Sequence, residues 1–181
     1  MRAVARLGVD WRDRQLIYRL YKNQSVVIRI NSLHSDACQL GRGVRQACPL
    51  SPLLFNIYIQ QLIEEALENT EDGVKVNGLL VKAVQFADDQ AMVSSSNAGL
   101  QMIIDALNKT SHDYGMKINI KKTKVMRVFK TGGKKMKITI NGHRVEQVRQ
   151  FVYLGSAIRE DCKCHEEVKR RIAIGKEAIQ I

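Results

Sequence analysis

Asp88 and Asp89 stand side by side in Val84-Gln85-Phe86-Ala87-Asp88-Asp89-Gln90-Ala91, between two short apolar stretches that read as the arms of a β-hairpin. Successive side chains of a strand point to opposite faces. A tight turn removes that constraint and can aim Asp88, or both acids, at one point. Mg²⁺ takes hard oxygen ligands, usually one or two carboxylates together with substrate phosphates. A carboxylate-tipped hairpin could therefore hold metal for phosphoryl transfer. Taken alone, the pair more often marks a solvated turn, because short motif matches carry a high false-positive risk.

Three other segments carry groups suited to the same chemistry. Gly43-Val44-Arg45-Gln46-Ala47-Cys48-Pro49-Leu50-Ser51-Pro52-Leu53-Leu54-Phe55 holds Arg45, whose guanidinium can bind phosphate in a bidentate fashion, and Gln46, whose amide both donates and accepts. Gly115-Met116-Lys117-Ile118-Asn119-Ile120-Lys121-Lys122-Thr123-Lys124 is rich in lysine and contains an Asn-x-x-Lys-Thr pattern. Phe151-Val152-Tyr153-Leu154-Gly155 follows nearer the C-terminus. In order and content the four segments resemble motifs B, C, D and E of the reverse transcriptases of non-long-terminal-repeat (LINE-like) retrotransposons. The Asp88-Asp89 segment corresponds to motif C, and the resemblance covers nearly the whole chain.

The resemblance implies an RNA-directed DNA polymerase that transfers a nucleotide from a dNTP to a DNA primer 3′-hydroxyl on an RNA template. Two divalent ions, Mg²⁺ or Mn²⁺, sitting roughly 3.5–4 Å from each other, would clamp the attacking and leaving oxygens. By the same resemblance Asp88 is the principal metal ligand and Asp89 the auxiliary one. Phe86 and Ala87 lie against the primer end, with core packing as the plain alternative for Phe86. Arg45, Gln46 and Ala47 face template and nucleotide, Ala47 standing where family members usually carry glycine. Lys122 is the candidate that protonates the departing pyrophosphate, with Lys121 and Lys124 competing. Phe151, Tyr153, Leu154 and Gly155 form the primer grip.

One part of the family pattern is expected elsewhere. Motif A, with a further metal-binding aspartate, belongs upstream of everything seen here, and Asp10, Asp13 and Asp36 fall in the segments that follow it. Two carboxylates alone leave a two-metal site short of ligands. The expected partner is a missing upstream segment of the same polyprotein, and little or no activity is expected without it. Its strand would pair beside the Asp88 hairpin, so an apolar edge over residues 80–86 should lie open, a feature that invites pairing with another chain. An alternative reading is a non-catalytic nucleic-acid-binding remnant of a retroelement. A metal-dependent nuclease or phosphatase would rest on Asp88-Asp89 alone and leave the 43–55 segment unexplained.

The charge supports a nucleic-acid partner. The formal net charge is +11, and residues 91–181 carry 18 Lys/Arg against 8 Asp/Glu, whereas residues 1–90 carry 11 against 10. Between Gly115 and Arg144 there are ten basic residues and no acidic one. Such a stretch is either a solvated face or a surface for nucleic-acid phosphates, where counterion release makes affinity fall with salt. No apolar run approaches the roughly 18 residues of a membrane span, and the N-terminus lacks the continuous apolar stretch of a secretory signal. Cys38, Cys48, Cys162 and Cys164 read as reduced intracellular thiols. Cys162-x-Cys164-His165 offers three ligands too closely packed for the usual zinc spacing. Nuclear and cytoplasmic residence follows from the resemblance.

The elements that must position these groups can be read from local signals. At 181 residues the chain can bury roughly 70% of its unfolded surface and suits one domain, which the resemblance makes a partial reverse transcriptase domain. By the same resemblance, 1–50 would be fingers and part of the palm, 51–160 the palm core, and 161–181 the start of a thumb helix. Asp10 precedes a helical run ending near Asn23. Strands are expected over 26–30 and 37–40, separated by a polar turn. Ser51-Pro52 starts a helix whose buried face is Phe55, Ile59, Leu62, Ile63 and Ala66. Asn77-Gly78 marks a hairpin, and Ser94, Ser95 or Ser96 caps a helix stopping at Gly115. Strands follow over 124–129, 137–140, 144–148 and 151–154, with turns at Gly132-Gly133 and Asn141-Gly142. A last helix is expected over 166–181. Helices interleaved with hairpins suggest an α+β layer, helices on one face of a largely antiparallel sheet. The resemblance sharpens this to a polymerase palm.

Overall fold

Asp10 does what its place before an apolar-periodic run demands. In the computed structural model, which describes residues 1–129 and 135–179, its carboxylate accepts a hydrogen bond from the Arg12 amide (2.8 Å) at the start of helix α2 (Trp11–Tyr21). A short helix α1 (Arg2–Arg6) precedes it, unforeseen because five residues are too few for a periodic signal. The chain then forms a β-ribbon. Strands β1 (Gln24–Val26) and β4 (Cys38–Leu40) pair at its base, and β2 (Arg29–Ile30) and β3 (Leu33–His34) pair at its tip. The single strand expected over 26–30 is thus broken in two. Ser35 causes the break, since its Oγ accepts from the Ile28 amide (3.0 Å) and interrupts the ladder. Helix α3 (Leu50–Leu67) follows, with Ile59, Leu62, Ile63 and Ala66 buried as expected and Phe55 half-buried.

The chain divides into two compact units, Met1–Glu65 and Ala66–Ile181, the division falling within α3. The second unit begins with hairpin β5 (Val74–Val76)–β6 (Leu79–Val81) and hairpin β7 (Ala83–Phe86)–β8 (Asp89–Met92). Helix α4 (Asn97–Asp113) comes next. Ser96 is its N-cap, accepting from the Gly99 amide at 3.0 Å. At its other end Gly115 sits at φ 67°, its amide bonded to the His112 carbonyl and that of Met116 to the Ser111 carbonyl. This is the paired closure that a glycine at C′ permits.

Strand β9 (Lys124–Val125) pairs in parallel with β12 (Glu146–Gln147), and β10 (Thr139–Ile140) pairs with β11 (His143–Arg144). The expected strands over 124–129 and 144–148 are therefore shorter. After Val125 the chain leaves the ladder, and the Phe129 amide donates to the Glu160 carbonyl instead. The 144–148 stretch changes partner at Val145, pairing first back on β10 and then with β9. The Gly132-Gly133 turn lies outside the described residues. Hairpin β13 (Gln150–Tyr153)–β14 (Ser156–Arg159) and helix α5 (His165–Ile179) complete the unit.

The one largely antiparallel sheet expected from the sequence is not formed among the described residues. Strands pair two by two in seven small sheets, six antiparallel and one parallel. Two-residue loops close most of the hairpins, and β7–β8 forms a two-stranded sheet among the described residues. Leu80 on β6 and Val84 and Phe86 on β7 are exposed, while the residues between them are half-buried. The core of the unit lies elsewhere. Met136, Ile138 and Ile140 alternate inward with period two and pack with Ile104, Val125 and Val145, flanked by Met92, Leu100, Ile118 and Ile120. No described helix is long and apolar enough to cross a membrane.

Asp72 ties the N-terminus of α4 to the loop before β5. Its carboxylate accepts from Ser94 Oγ (2.7 Å), Ser95 N (3.1 Å), Ser95 Oγ (2.6 Å) and Ser96 Oγ (2.9 Å). The serine hydroxyls, Ser95 foremost, hold its pKa well below the ordinary 3.8. A carboxyl depressed in the folded state stabilises fully above its unfolded pKa and loses that contribution as pH falls toward the folded value. Thermal melts between pH 6 and pH 2 should therefore show stability falling below about pH 4. That fall should be shallower in Asp72→Asn.

Candidate functional site

The carboxylate hairpin is closed by two residues, Ala87 and Asp88, between the paired Phe86 and Asp89. Ala87 sits at φ 52°, a region costing an L-residue with a Cβ roughly 1–2 kcal/mol. Both Asp88 and Asp89 are exposed at this tip. Phe86 is 62% exposed, which removes core packing as its role. Inside the ribbon, Gln90 Nε2 leans back toward the Ala87 carbonyl (3.5 Å).

Tyr153 meets this hairpin from β13. Its hydroxyl donates, shared between two acceptors, to the Val84 carbonyl (3.2 Å) and the Asp89 carbonyl (3.3 Å). Burial pushes its pKa up, and the Asp89 carboxylate adds to the effect. The neighbouring turn is Leu154-Gly155, with φ of 48° and 77°. Leu154 is 49% exposed, Phe151 lies at the surface, and the space around Gly155 is open. So the structure joins two of the predicted groups, the Asp88-Asp89 hairpin and the Phe151–Gly155 segment.

The lysines of the 115–124 segment separate by environment. Lys124 is ion-paired with Glu146. Lys121 and Lys122 are exposed and take no part in the ion pairs of the described residues. Asn119 shapes their loop, its carbonyl accepting from the Lys122 and Thr123 amides and from Thr123 Oγ1.

In the first unit, Arg45, Gln46 and Ala47 form an exposed loop before α3. One Arg45 Nη donates to the Leu20 carbonyl at the end of α2 (3.3 Å), leaving its other donors for a ligand. Ser51 Oγ donates to the Arg45 carbonyl, and the Tyr21 hydroxyl reaches Ser51 Oγ (2.9 Å) and Cys48 Sγ (3.4 Å). The hydrogen bond from Tyr21 is the main cause lowering the Cys48 thiol pKa, and the same bond raises that of Tyr21. This anchor was not foreseen. Tyr21 read as one more apolar-periodic residue of α2, and a partner 30 residues away leaves no local signal.

Ala47 holds φ 62°. The position suits glycine, the residue that the resemblance puts there. Ala47→Gly should therefore raise stability by about 1 kcal/mol, measured by urea denaturation. Among the described residues, Ala47, Ala87, Leu154 and Cys162 are the positive-φ residues that are neither Gly nor Asn. Three of these four lie in the predicted motif loops. Backbone strain of this kind collects at ligand clamps and active sites.

Asp88 and Asp89 are two exposed carboxylates, hard oxygen donors of the type divalent cations take. Carboxylate oxygens of this kind match the ligand preference of Mg²⁺. Among the described residues no group of three or more His, Cys, Asp or Glu could hold a metal ion. Cys162 and Cys164 are exposed free thiols.

Comparison with known proteins bears on this arrangement. A profile of the family "Reverse transcriptase (RNA-dependent DNA polymerase)" matches residues 2–158. The retrovirus-related Pol polyprotein from the type-1 retrotransposable element R2 of Nasonia vitripennis is 28% identical over 157 residues. That alignment covers 86% of this chain and 15% of the relative. The polyprotein from the type-2 element R2DM of Drosophila melanogaster is 36% identical over 81 residues, covering 45% and 8%. An R2 polyprotein of Popillia japonica is 28% identical over 134 residues, covering 73% and 19%. The chain thus spans less than a fifth of the length of each of these three relatives.

Proposed function

The chain belongs to the reverse transcriptase (RNA-dependent DNA polymerase) family, of the non-LTR retrotransposon kind, and on that premise we propose that it carries the catalytic hairpin of an RNA-directed DNA polymerase. It would act with a template RNA, a DNA primer and dNTPs, and within a longer polypeptide. What supports this most is the hairpin: two exposed carboxylates on a two-residue turn, in a chain of a family generally dependent on divalent metal. Mg²⁺ held by Asp88 and Asp89 would supply charge neutralisation at the attacking and leaving oxygens.

The chain's own residues have assignable tasks. Phe86, exposed beside the turn, would pack against the primer's terminal nucleotide, and Ala87 is small enough to let it approach. Phe151, Leu154 and Gly155 would hold the primer backbone. Arg45 would bind phosphate with the donors it does not spend on Leu20. Gln46 would reach a base-pair edge, with Ala47 beside the nucleotide. Lys122 would give its proton to the departing pyrophosphate. Lys124 is a weaker candidate because Glu146 already holds it. Residues 1–50, 51–160 and 161–181 would serve as fingers, palm and the start of the thumb. Work on chromosomal DNA would bring the protein from the cytoplasm to the nucleus.

Two carboxylates leave a two-metal site short of ligands, so a third acidic ligand should come from residues outside this sequence. Primer extension on an RNA template with Mg²⁺ tests the reading. The chain alone should synthesise little or nothing, and synthesis should appear once a segment bringing a third carboxylate is joined to it. Robust synthesis by the chain alone would overturn the need for that segment. Failure of every joined form would overturn the polymerase reading. The same shortage of ligands favours a second reading, a non-catalytic nucleic-acid-binding remnant, for which salt-sensitive binding without synthesis would speak.

A further inference from the structure

Two hydrogen-bonded clusters meet on hairpin β13–β14. The Tyr153 hydroxyl, at the turn end of β13, bridges the Val84 carbonyl on β7 and the Asp89 carbonyl on β8, across 69 and 64 residues of sequence. A single side chain thus braces both arms of the carboxylate ribbon. Directly beside it, the turn after Tyr153 is gripped by the first turns of α5. Glu167 accepts from the Ala157 amide (3.1 Å), Arg171 donates to Ser156 Oγ (2.6 Å), and Arg170 donates to the Gly155 carbonyl. Glu167 also pairs with Arg170 (2.8 Å) and Arg171 (2.7 Å), which fixes both guanidiniums over that turn.

The β7–β8 ribbon needs such a brace. It is two strands wide, with exposed Val84 and Phe86 on one face, and an isolated two-stranded hairpin is marginally stable in water. We propose that Tyr153 is the positioning residue of the Asp88-Asp89 hairpin and that Glu167, through Arg170 and Arg171, holds Tyr153 in place. Helix α5 then governs how firmly the two carboxylates are presented. This role differs from primer contact, because the hydroxyl is spent on hairpin carbonyls. Its importance for catalysis rests on the metal reading of Asp88 and Asp89; the mechanical coupling does not.

Hydrogen exchange on the full 181-residue chain separates the two. Tyr153→Phe keeps the ring and removes the brace, and Glu167→Gln weakens the grip on the turn. Each should speed exchange over residues 83–93 by about three- to tenfold, the span expected for one net hydrogen bond. Exchange over α4 should stay unchanged in both. Val152→Ala, on the opposite face of β13 and exposed, should leave 83–93 as it was. Unaltered exchange over 83–93 in Tyr153→Phe and Glu167→Gln would overturn the proposal. So would acceleration that α4 shares in equal measure. Mn²⁺ titration, read as paramagnetic broadening of the Asp88 and Asp89 resonances, gives the second arm. Local acceleration with no Asp88-dependent broadening would uphold the brace and remove the metal reading.

Discussion

Asp88→Asn should lower metal-dependent primer extension by roughly a thousandfold, the scale of losing one preorganised electrostatic contact to the reacting phosphate. The assay belongs in the longer polypeptide proposed above. The substitution is isosteric, so lost charge is the main change at the site. Asp88 occupies an exposed loop position of the β7–β8 turn, and the fold should hold within about 0.5 kcal/mol, as for ordinary surface substitutions. Activity and stability should thus separate cleanly. Asp89→Asn should cost less, since Asp89 is the auxiliary ligand in this reading. Its backbone carbonyl, which receives Tyr153, is unaffected by the change. Retention of activity within threefold of the parent in Asp88→Asn would remove the hairpin from the mechanism.

Gly99→Ala should be the most damaging single methyl in the second unit. A Cβ built there would lie 1.5 Å from Asp72 Oδ2, 2.3 Å from its Cγ and 2.7 Å from its Cβ. Asp72 cannot simply swing aside, because three serine hydroxyls and the Ser95 amide hold its carboxylate. Relief must come either from breaking that cluster or from shifting the first turn of α4. Either route should cost about 2–3 kcal/mol, the ordinary range for forced overpacking. In a chain of this size that lowers Tm by about 4–12 °C. Pairing Gly99→Ala with Asp72→Ala should be less harmful than the sum of the two, because the second change clears the space. Strict additivity would contradict the clash.

What the sequence made readable was local. Asp10 before α2, a serine among 94–96 before α4, Gly115 after it and a hairpin at the two acids are each decided by a few neighbouring residues, and all are found. Ser96 is the cap, and the turn lies one residue earlier than the acids suggested, at Ala87-Asp88. The chemistry-bearing types in four ordered segments pointed to the family to which the chain belongs. The parts that stayed hidden depend on long-range contacts. Tyr153 reaches carbonyls 64 and 69 residues away, Tyr21 meets Ser51 across 30, and Asp72 gathers serines across 22 to 24. No spacing rule encodes such meetings. The shorter strands have the same origin. β-Branched runs signal extended backbone, while the partner that makes a strand is chosen elsewhere, as the switch at Val145 illustrates.

Of residues 1–49, all described, only Val4 is buried. So little sequestered hydrocarbon gives the β1–β4 ribbon and α2 small opening free energies, near the low end of what native proteins show, while α4 and its packed strands stay shut. A protease should thus cut first in this part of the chain, and a nucleic acid settling on the Arg45-Gln46 loop would have to supply the ordering from its own contacts. Affinity surrendered in that way returns as fast release of whatever is bound there.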